Sequence, residues 1–293
     1  MHRPSFLGPA ALLLLVAGSP SQPDAKGQSR PAVRQLALLL QSPIDSYLEP
    51  CGCGGQNAGG LARRAALIGE LRGQHRDPIV IAVGRFGIDA DALPVIVRTL
   101  AALGTDAIGL GAEDLIIYDT LRSLADSAGL SLCSLTPPLS AAPPPARGVA
   151  VRRGDCLVGV LSVAFGQLGV GELTALAAEE LARMRTNGCA FFVLLSHLGE
   201  TTTARLLEGL PPELRPRLVA LATNDDLPVE PIERLDATWV PLAQKGRSLA
   251  VVTATPAGDG WRFEVEQHLV TDGPRDPAVQ GWVDEFYQRQ RRA

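Results

Sequence analysis

Residues 35–71 read QLALLLQSPIDSYLEPCGCGGQNAGGLARRAALIGEL, and their pattern changes twice. The run 35–40 is apolar without alternation and stops at the turn-like Ser42-Pro43. A loop rich in Cys and Gly follows from Tyr47 to Gly60. Residues 61–71 then place Leu61, Ala65, Leu67, Ile68 and Leu71 on one helical face, with Arg63, Arg64 and Glu70 elsewhere. An unbroken apolar strand has both faces buried, as in a parallel sheet, and a helix with one apolar stripe packs against such a sheet. The stretch therefore opens a βα unit.

The alternation continues toward the C-terminus. Strands are expected at 79–83, 107–110 and 130–133, with helices at 93–103 and 118–128 between and after them. The segment 136–147 carries five prolines and reads as a surface connection. Beyond it, 148–151 and 157–164 flank Arg152-Arg153-Gly154-Asp155 as a hairpin would. A helix at 173–184 and strands at 191–195, 218–222, 238–242, 249–255 and 261–267 follow. The last two strands are joined through Pro256-Ala257-Gly258-Asp259-Gly260, and 277–291 closes as an amphipathic helix with Trp282, Val283, Phe286 and Tyr287. The class is α/β.

The other end has the three parts of a secretory signal: His2 and Arg3, an apolar run over 6–17, and small residues near Ser19 or Ser21. The run is short for a bilayer span and leads into a polar stretch with Pro, and no later segment is a better candidate. The expected organisation is a signal peptide at 1–21, a linker at 22–34, one domain over 35–272 and a C-terminal helix within 273–293. The protein is expected to be exported, to the periplasm or outside the cell, with no transmembrane segment after signal removal. A net charge of −4 with scattered arginines leaves no basic stripe for a phosphate backbone, so nucleic acid is not an expected partner. Of the five cysteines, Cys133, Cys156 and Cys189 sit in strand-like apolar contexts and read as buried small hydrophobes. Only Cys51 and Cys53 lie close together.

Four punctuating motifs, Leu48-Glu49-Pro50, Gly59-Gly60-Leu61-Ala62-Arg63-Arg64, Ser196-His197-Leu198-Gly199 and Lys245-Gly246-Arg247, occur in a fixed order. In order and spacing they resemble landmarks of the 5′-nucleotidase family of calcineurin-like metallophosphoesterases, over about residues 35–269. The resemblance implies an αββα sandwich of two mixed β-sheets flanked by helices. It also implies two metal ions held at strand ends by Asp, His and Asn, which activate a water and clamp phosphate oxygens. The family's C-terminal domain with the nucleotide-base pocket is not expected after Asp272.

The positions matching the family's ligands carry other residues. Its Asp-x-His falls on Pro43 and Asp45, and its Gly-Asp on Gly84-Arg85. Its Gly-Asn-His-Glu reads Gly111-Ala112-Glu113-Asp114, and its late Gly-His-x-His reads Thr223-Asn224-Asp225-Asp226. Proline has no side-chain donor, and a permanent cation at Arg85 repels metals. Only His197 keeps the family's residue. The resemblance thus implies a degenerate, non-hydrolytic member, a pseudoenzyme that binds a small-molecule ligand, a metal or an exported redox partner at the old catalytic mouth. The mouth candidates are Asp45, Arg85, Glu113, Asp114, Asn224 and Asp226, and the redox or metal candidates are Cys51, Cys53 and His197.

Three readings of Cys51-Gly52-Cys53 stand side by side. The pair fastens a Gly-rich loop, exchanges thiol for disulfide, or joins His197 and a carboxylate around one divalent metal such as zinc. No cofactor is otherwise indicated. The alternative activity is phosphoester hydrolysis by an altered metal centre. Ser196-His197 is not a hydrolase dyad, because strand neighbours face opposite ways. Glu113-Asp114 serves either as paired acids or as a helix cap.

Overall fold

The computed structural model describes residues 35–50, 52, 57–258 and 260–292. The expected signal peptide and linker, together with Cys51 and Cys53, lie outside the described residues.

In chain order the elements are β1 (Leu36–Gln41), α1 (Leu61–Gln74), β2 (Ile79–Ala82), α2 (Leu93–Ala102), β3 (Ala107–Gly109), α3 (Ala112–Ile116), α4 (Tyr118–Ala128) and β4 (Leu132–Cys133). There follow β5 (Gly148–Arg153), β6 (Cys156–Val163), α5 (Val170–Thr186), β7 (Phe191–Ser196), α6 (Gly199–Glu208) and β8 (Leu218–Ala222). The chain ends with β9 (Ile232–Arg234), β10 (Ala237–Leu242), β11 (Ser248–Ala257), β12 (Gly260–Leu269) and α7 (Pro277–Gln290). Two six-stranded sheets result, in the orders β12-β11-β1-β2-β3-β4 and β5-β6-β7-β8-β10-β9. Both are mixed: β1, β2, β3 and β4 run parallel, as do β6, β7, β8 and β10, while β11, β12, β5 and β9 are antiparallel additions.

The unbroken apolar strands have a simple cause, since successive side chains enter different cores. Leu38, Leu40, Ile79 and Ile81 meet Val158, Val160, Val193 and Leu218 between the sheets. Their neighbours Leu39, Val80 and Ala82 face Leu61, Ile68, Ile96, Leu100 and Val283 on the helical side. In the second sheet Leu161, Phe192, Leu194 and Val219 face α5 and α6 instead. The fold is an α/β sandwich of two mixed sheets flanked by helices. α7 supplies Val279, Val283 and Phe286 to the core and packs on α1 and α2, so the C-terminal helix is built into the domain.

Each expected strand and helix forms, with ends moved by no more than about three residues. The structure adds α3, α6 and the edge strand β9. The final hairpin is tighter than expected, with Pro256 and Ala257 inside β11 and Ala257 pairing with Gly260. Arg63 and Arg64 do not lie on the solvent face of α1: they are 7% and 1% exposed. Arg64 turns under the strand ends to donate to the Ser42 carbonyl (3.0 Å) and Ser42 Oγ (3.2 Å), and Arg63 reaches Asp272 (2.6 Å). Cys133, Cys156 and Cys189 are buried and free, and burial pushes the Cys133 thiol up to about 12. Among the described residues no helix is long and apolar enough to cross a membrane.

Candidate functional site

The parallel strands β1, β2, β3, β7 and β8 deliver their C-terminal ends to one edge of the sandwich, where open α/β sheets hold ligands. Arg85 stands at that edge, three residues past the end of β2 and directly after Gly84. Gly84 has φ 98°, and a Cβ there would collide with the Gly109 carbonyl, so only glycine fits. Arg85 itself adopts φ 56°, a conformation that costs an L-residue about 1–2 kcal/mol. Asp114 holds it there. Its carboxylate accepts from the N–H groups of Arg85 (2.6 Å), Phe86 (2.8 Å) and Gly111 (2.8 Å), and the Arg85 carbonyl accepts from Ile44 and Asp45 (3.1 and 2.9 Å).

So fixed, the guanidinium spans both sheets. Nε and Nη2 grip Asp45 on the first sheet's side, at 2.6 Å to Oδ1 and 3.1 Å to Oδ2. Nη1 donates to Asn224 Oδ1 (2.9 Å), and Nη2 also donates to the Thr223 carbonyl (3.0 Å), both just beyond β8. Asp45 Oδ2 further accepts the Lys245 backbone N–H (2.7 Å). The Arg85 and Asp45 side chains are 13% and 20% exposed, a bidentate pair in a partly dry setting where such pairs are strong.

His197, just past β7, contacts the Val83 carbonyl through Nε2 at 2.8 Å. A carbonyl only accepts, so Nε2 carries the proton and Nδ1 is left as a bare acceptor. Nδ1 is buried and has no hydrogen-bond partner among the described residues. Burial lowers the pKa of His197 to about 4, with the Val83 bond opposing and the Arg85 charge reinforcing, so the ring is neutral at neutral pH. Ser196 faces away, its Oγ 2.6 Å from Thr203 Oγ1, as opposite strand faces require.

The structure brings Asp45, Arg85, His197 and Asn224 together and engages the other candidates differently. Asp114 is fully buried and committed to backbone N–H groups, including that of Gly111 at the start of α3, so it caps. Burial pushes its pKa up to about 7, against those three donors. Glu113 lines an open cavity of about 500 Å³ with Arg85, His197, Phe165, Glu200 and Asp225. Asp226 turns aside to Arg247 Nη1 (2.9 Å) and Lys245 Nζ (3.3 Å). Thr223 and Lys245 join the Arg85–Asp45 cluster through backbone groups, and sequence reasoning placed neither among the mouth candidates.

The two motifs around the cysteine loop meet beneath this edge. Gly59 and Gly60 have φ 95° and 90°. A Cβ on Gly59 would lie 2.7 Å from the Lys245 carbonyl oxygen, and one on Gly60 would lie 2.8 Å from Pro50. Gly246, at φ 67°, lies against the Arg64 guanidinium and donates its N–H to the Pro43 carbonyl. The loop roots at Leu48 and Leu61 are joined by a 2.9 Å hydrogen bond, and Gly52, between the two cysteines, is exposed.

A pair of divalent ions does not fit these residues. Both Asp45 oxygens and the Asn224 oxygen are engaged by Arg85 and Lys245, and a guanidinium fills the space among them. Among the described residues no group of three or more His, Cys, Asp and Glu is placed to hold a metal.

No protein-family profile matches this sequence, and no curated protein matches it. Solved structures do. A 5′-nucleotidase precursor from Thermus thermophilus superposes with TM-score 0.72 at 17% identity, over 87% of this chain and 59% of that one. The sulfate thiohydrolase SoxB of the same organism, in complex with glycerol, gives 0.73 at 15% identity, over 87% and 61%. The calcineurin-like phosphoesterase YfkN from Bacillus subtilis gives 0.67 at 15% identity, over 87% and 97%. The chain spans about three-fifths of the length of the first two. This chain therefore has the fold shared by 5′-nucleotidases and calcineurin-like phosphoesterases.

Proposed function

We propose that this protein is an exported, non-hydrolytic relative of the phosphoesterases that binds a ligand or partner at the strand-end mouth. One observation carries the reading: the guanidinium of Arg85 sits between Asp45 and Asn224, where the resemblance puts metal ions. A charge clamp and an activated water both depend on those ions. The cavity beside it also disfavours a phosphate. Its lining includes Glu113, Glu200 and Asp225, and four of the five N–H groups of Arg85 are already given to protein acceptors. Export rests on the N-terminal pattern of charge, apolar run and small residues.

The test is turnover of generic phosphomonoesters and phosphodiesters with Mg²⁺, Mn²⁺, Co²⁺, Ni²⁺ and Zn²⁺ in turn. The expected rate is that of buffer alone. Metal-dependent turnover that is lost on chelation and in His197→Ala would overturn the proposal.

The second reading, an altered metal centre, is favoured by the buried Nδ1 of His197, a donor nitrogen with no partner among the described residues. Cys51 and Cys53 are its natural companions. Elemental analysis of protein purified without chelators, with thiol counting before and after reduction, separates the cases. Stoichiometric metal lost in Cys51→Ser and Cys53→Ser supports the metal centre, and two thiols released only by reductant support a disulfide.

A further inference from the structure

We infer that Arg85 is the mouth's resident cation: its guanidinium joins the two sheets through Asp45, Asn224 and Thr223, as a bound metal ion otherwise would. The inference rests on the reading of the mouth given above and deepens it.

The acceptors that converge on Arg85 come from opposite halves of the sandwich. Asp45 follows β1 and sits in the first sheet's rim, and it is tied to the Lys245 N–H near β11 of the same sheet. Thr223 and Asn224 follow β8 in the second sheet. The guanidinium donates to both sets within 3.1 Å. Removed, it would leave a carboxylate, an amide oxygen and a carbonyl facing one space with no positive charge among them. His197 borders the same space, lining one cavity with Arg85, Thr223 and Asn224. Two carboxylate oxygens, an amide oxygen, a carbonyl and an imidazole nitrogen would form a cation-binding set. In the native chain the cation is covalently supplied.

The left-handed backbone of Arg85 supports this role. The chain retains a non-glycine residue at φ 56°, immediately after a glycine at φ 98°, and commits a buried carboxylate to hold it. Strain of this kind persists where surrounding structure over-determines it, and here the surroundings aim one side chain at the junction.

Amide hydrogen exchange on Arg85→Ala, alone and with added cations, tests the inference. In the variant, the segments around 44–46 and 223–226 should exchange together at least tenfold faster than in the wild type. Methylguanidinium at millimolar concentration, or Mn²⁺, should restore protection in both segments, whereas NaCl at equal ionic strength should not. The wild type should respond to neither. Faster exchange confined to 85–87, or a folded variant that no cation restores, would overturn the inference, as would wild-type protection that depends on Mn²⁺ through His197. Should Arg85→Ala fail to fold, the wild type decides alone: an Arg85 Nε–H signal in slow exchange and indifferent to chelator and Mn²⁺ supports it, and a signal lost to solvent overturns it. Phosphoester turnover, by contrast, would overturn the proposed function whichever way these exchange experiments fall.

Discussion

Arg85 and Arg64 are both arginines drawn into the protein at the same edge of the sandwich, and they are held in opposite ways. Arg85 meets a carboxylate bidentately and reaches into both sheets. Arg64 is more deeply buried, at 1% exposure, yet it donates to neutral acceptors, the Ser42 carbonyl and hydroxyl. Burial accordingly lowers the Arg64 pKa to about 10, with Asp45 opposing at longer range, and it remains a cation at neutral pH. The difference teaches that buried charge serves two purposes here. Arg85 neutralises and joins, while Arg64 braces the root of the cysteine loop through Ser42 and Gly246.

Variants should separate the two. Arg85→Met leaves the Asp45 carboxylate, 20% exposed, without its partner, and breaking such a pair costs about 3–5 kcal/mol. Chemical denaturation should show that loss. The paired variant Arg85→Met with Asp45→Leu should recover most of it, because no charge is then stranded. Arg64→Met strands no carboxylate and keeps most of the volume. It should cost only about 1–2 kcal/mol, the loss of its hydrogen bonds to Ser42.

An effect of intermediate size lies in the pH dependence of His197. Its pKa falls from about 6.5 to about 4 on folding, so between these values the unfolded chain binds the proton and the native state does not. Stability contributed by the neutral ring is therefore complete above about pH 6.5 and is lost as pH falls toward 4. The difference in unfolding free energy between wild type and His197→Gln, measured from about pH 7.5 to 4, should shift against the wild type by up to about 3 kcal/mol. A flat difference would mean that the ring is solvated and the Val83 contact weak.

Much of the fold was legible because apolar runs and turn residues report burial directly. Residues 35–40 and 191–195 have no polar alternation, and both strands proved to have a core on each face. α6 escaped because its sequence, GETTTARLLE, places three threonines in its first half and buries only Thr203, Ala204, Leu206 and Leu207. β9 escaped because it is an edge strand with little buried surface. The burial of Arg63 and Arg64 escaped because periodicity only sets a charge apart from the apolar face, whereas Arg64 finds its acceptors inside at Ser42 and Arg63 lies folded down toward Asn57 and the exposed Asp272.

The candidate site was legible as a set of positions and not as a set of bonds. Alignment to the family's motifs brought Asp45, Arg85, His197 and Asn224 to one edge, and the structure places them there. That Arg85 would grip Asp45 across forty residues and Asn224 across 139 depends on the left-handed turn after Gly84, which no local pattern states. Asp226 was drawn off by Arg247 and Asp114 by three backbone N–H groups, competitors visible only once the loops are folded.

On the proposed reading, a guanidinium holds the place where the resemblance puts metal ions. Anomalous diffraction from crystals of the wild-type protein soaked in Mn²⁺ tests it most directly. The expected result is no anomalous peak in the mouth and an intact Arg85 bridge between Asp45 and Asn224. A peak coordinated by His197 Nδ1, with Arg85 swung away from Asp45, would contradict it.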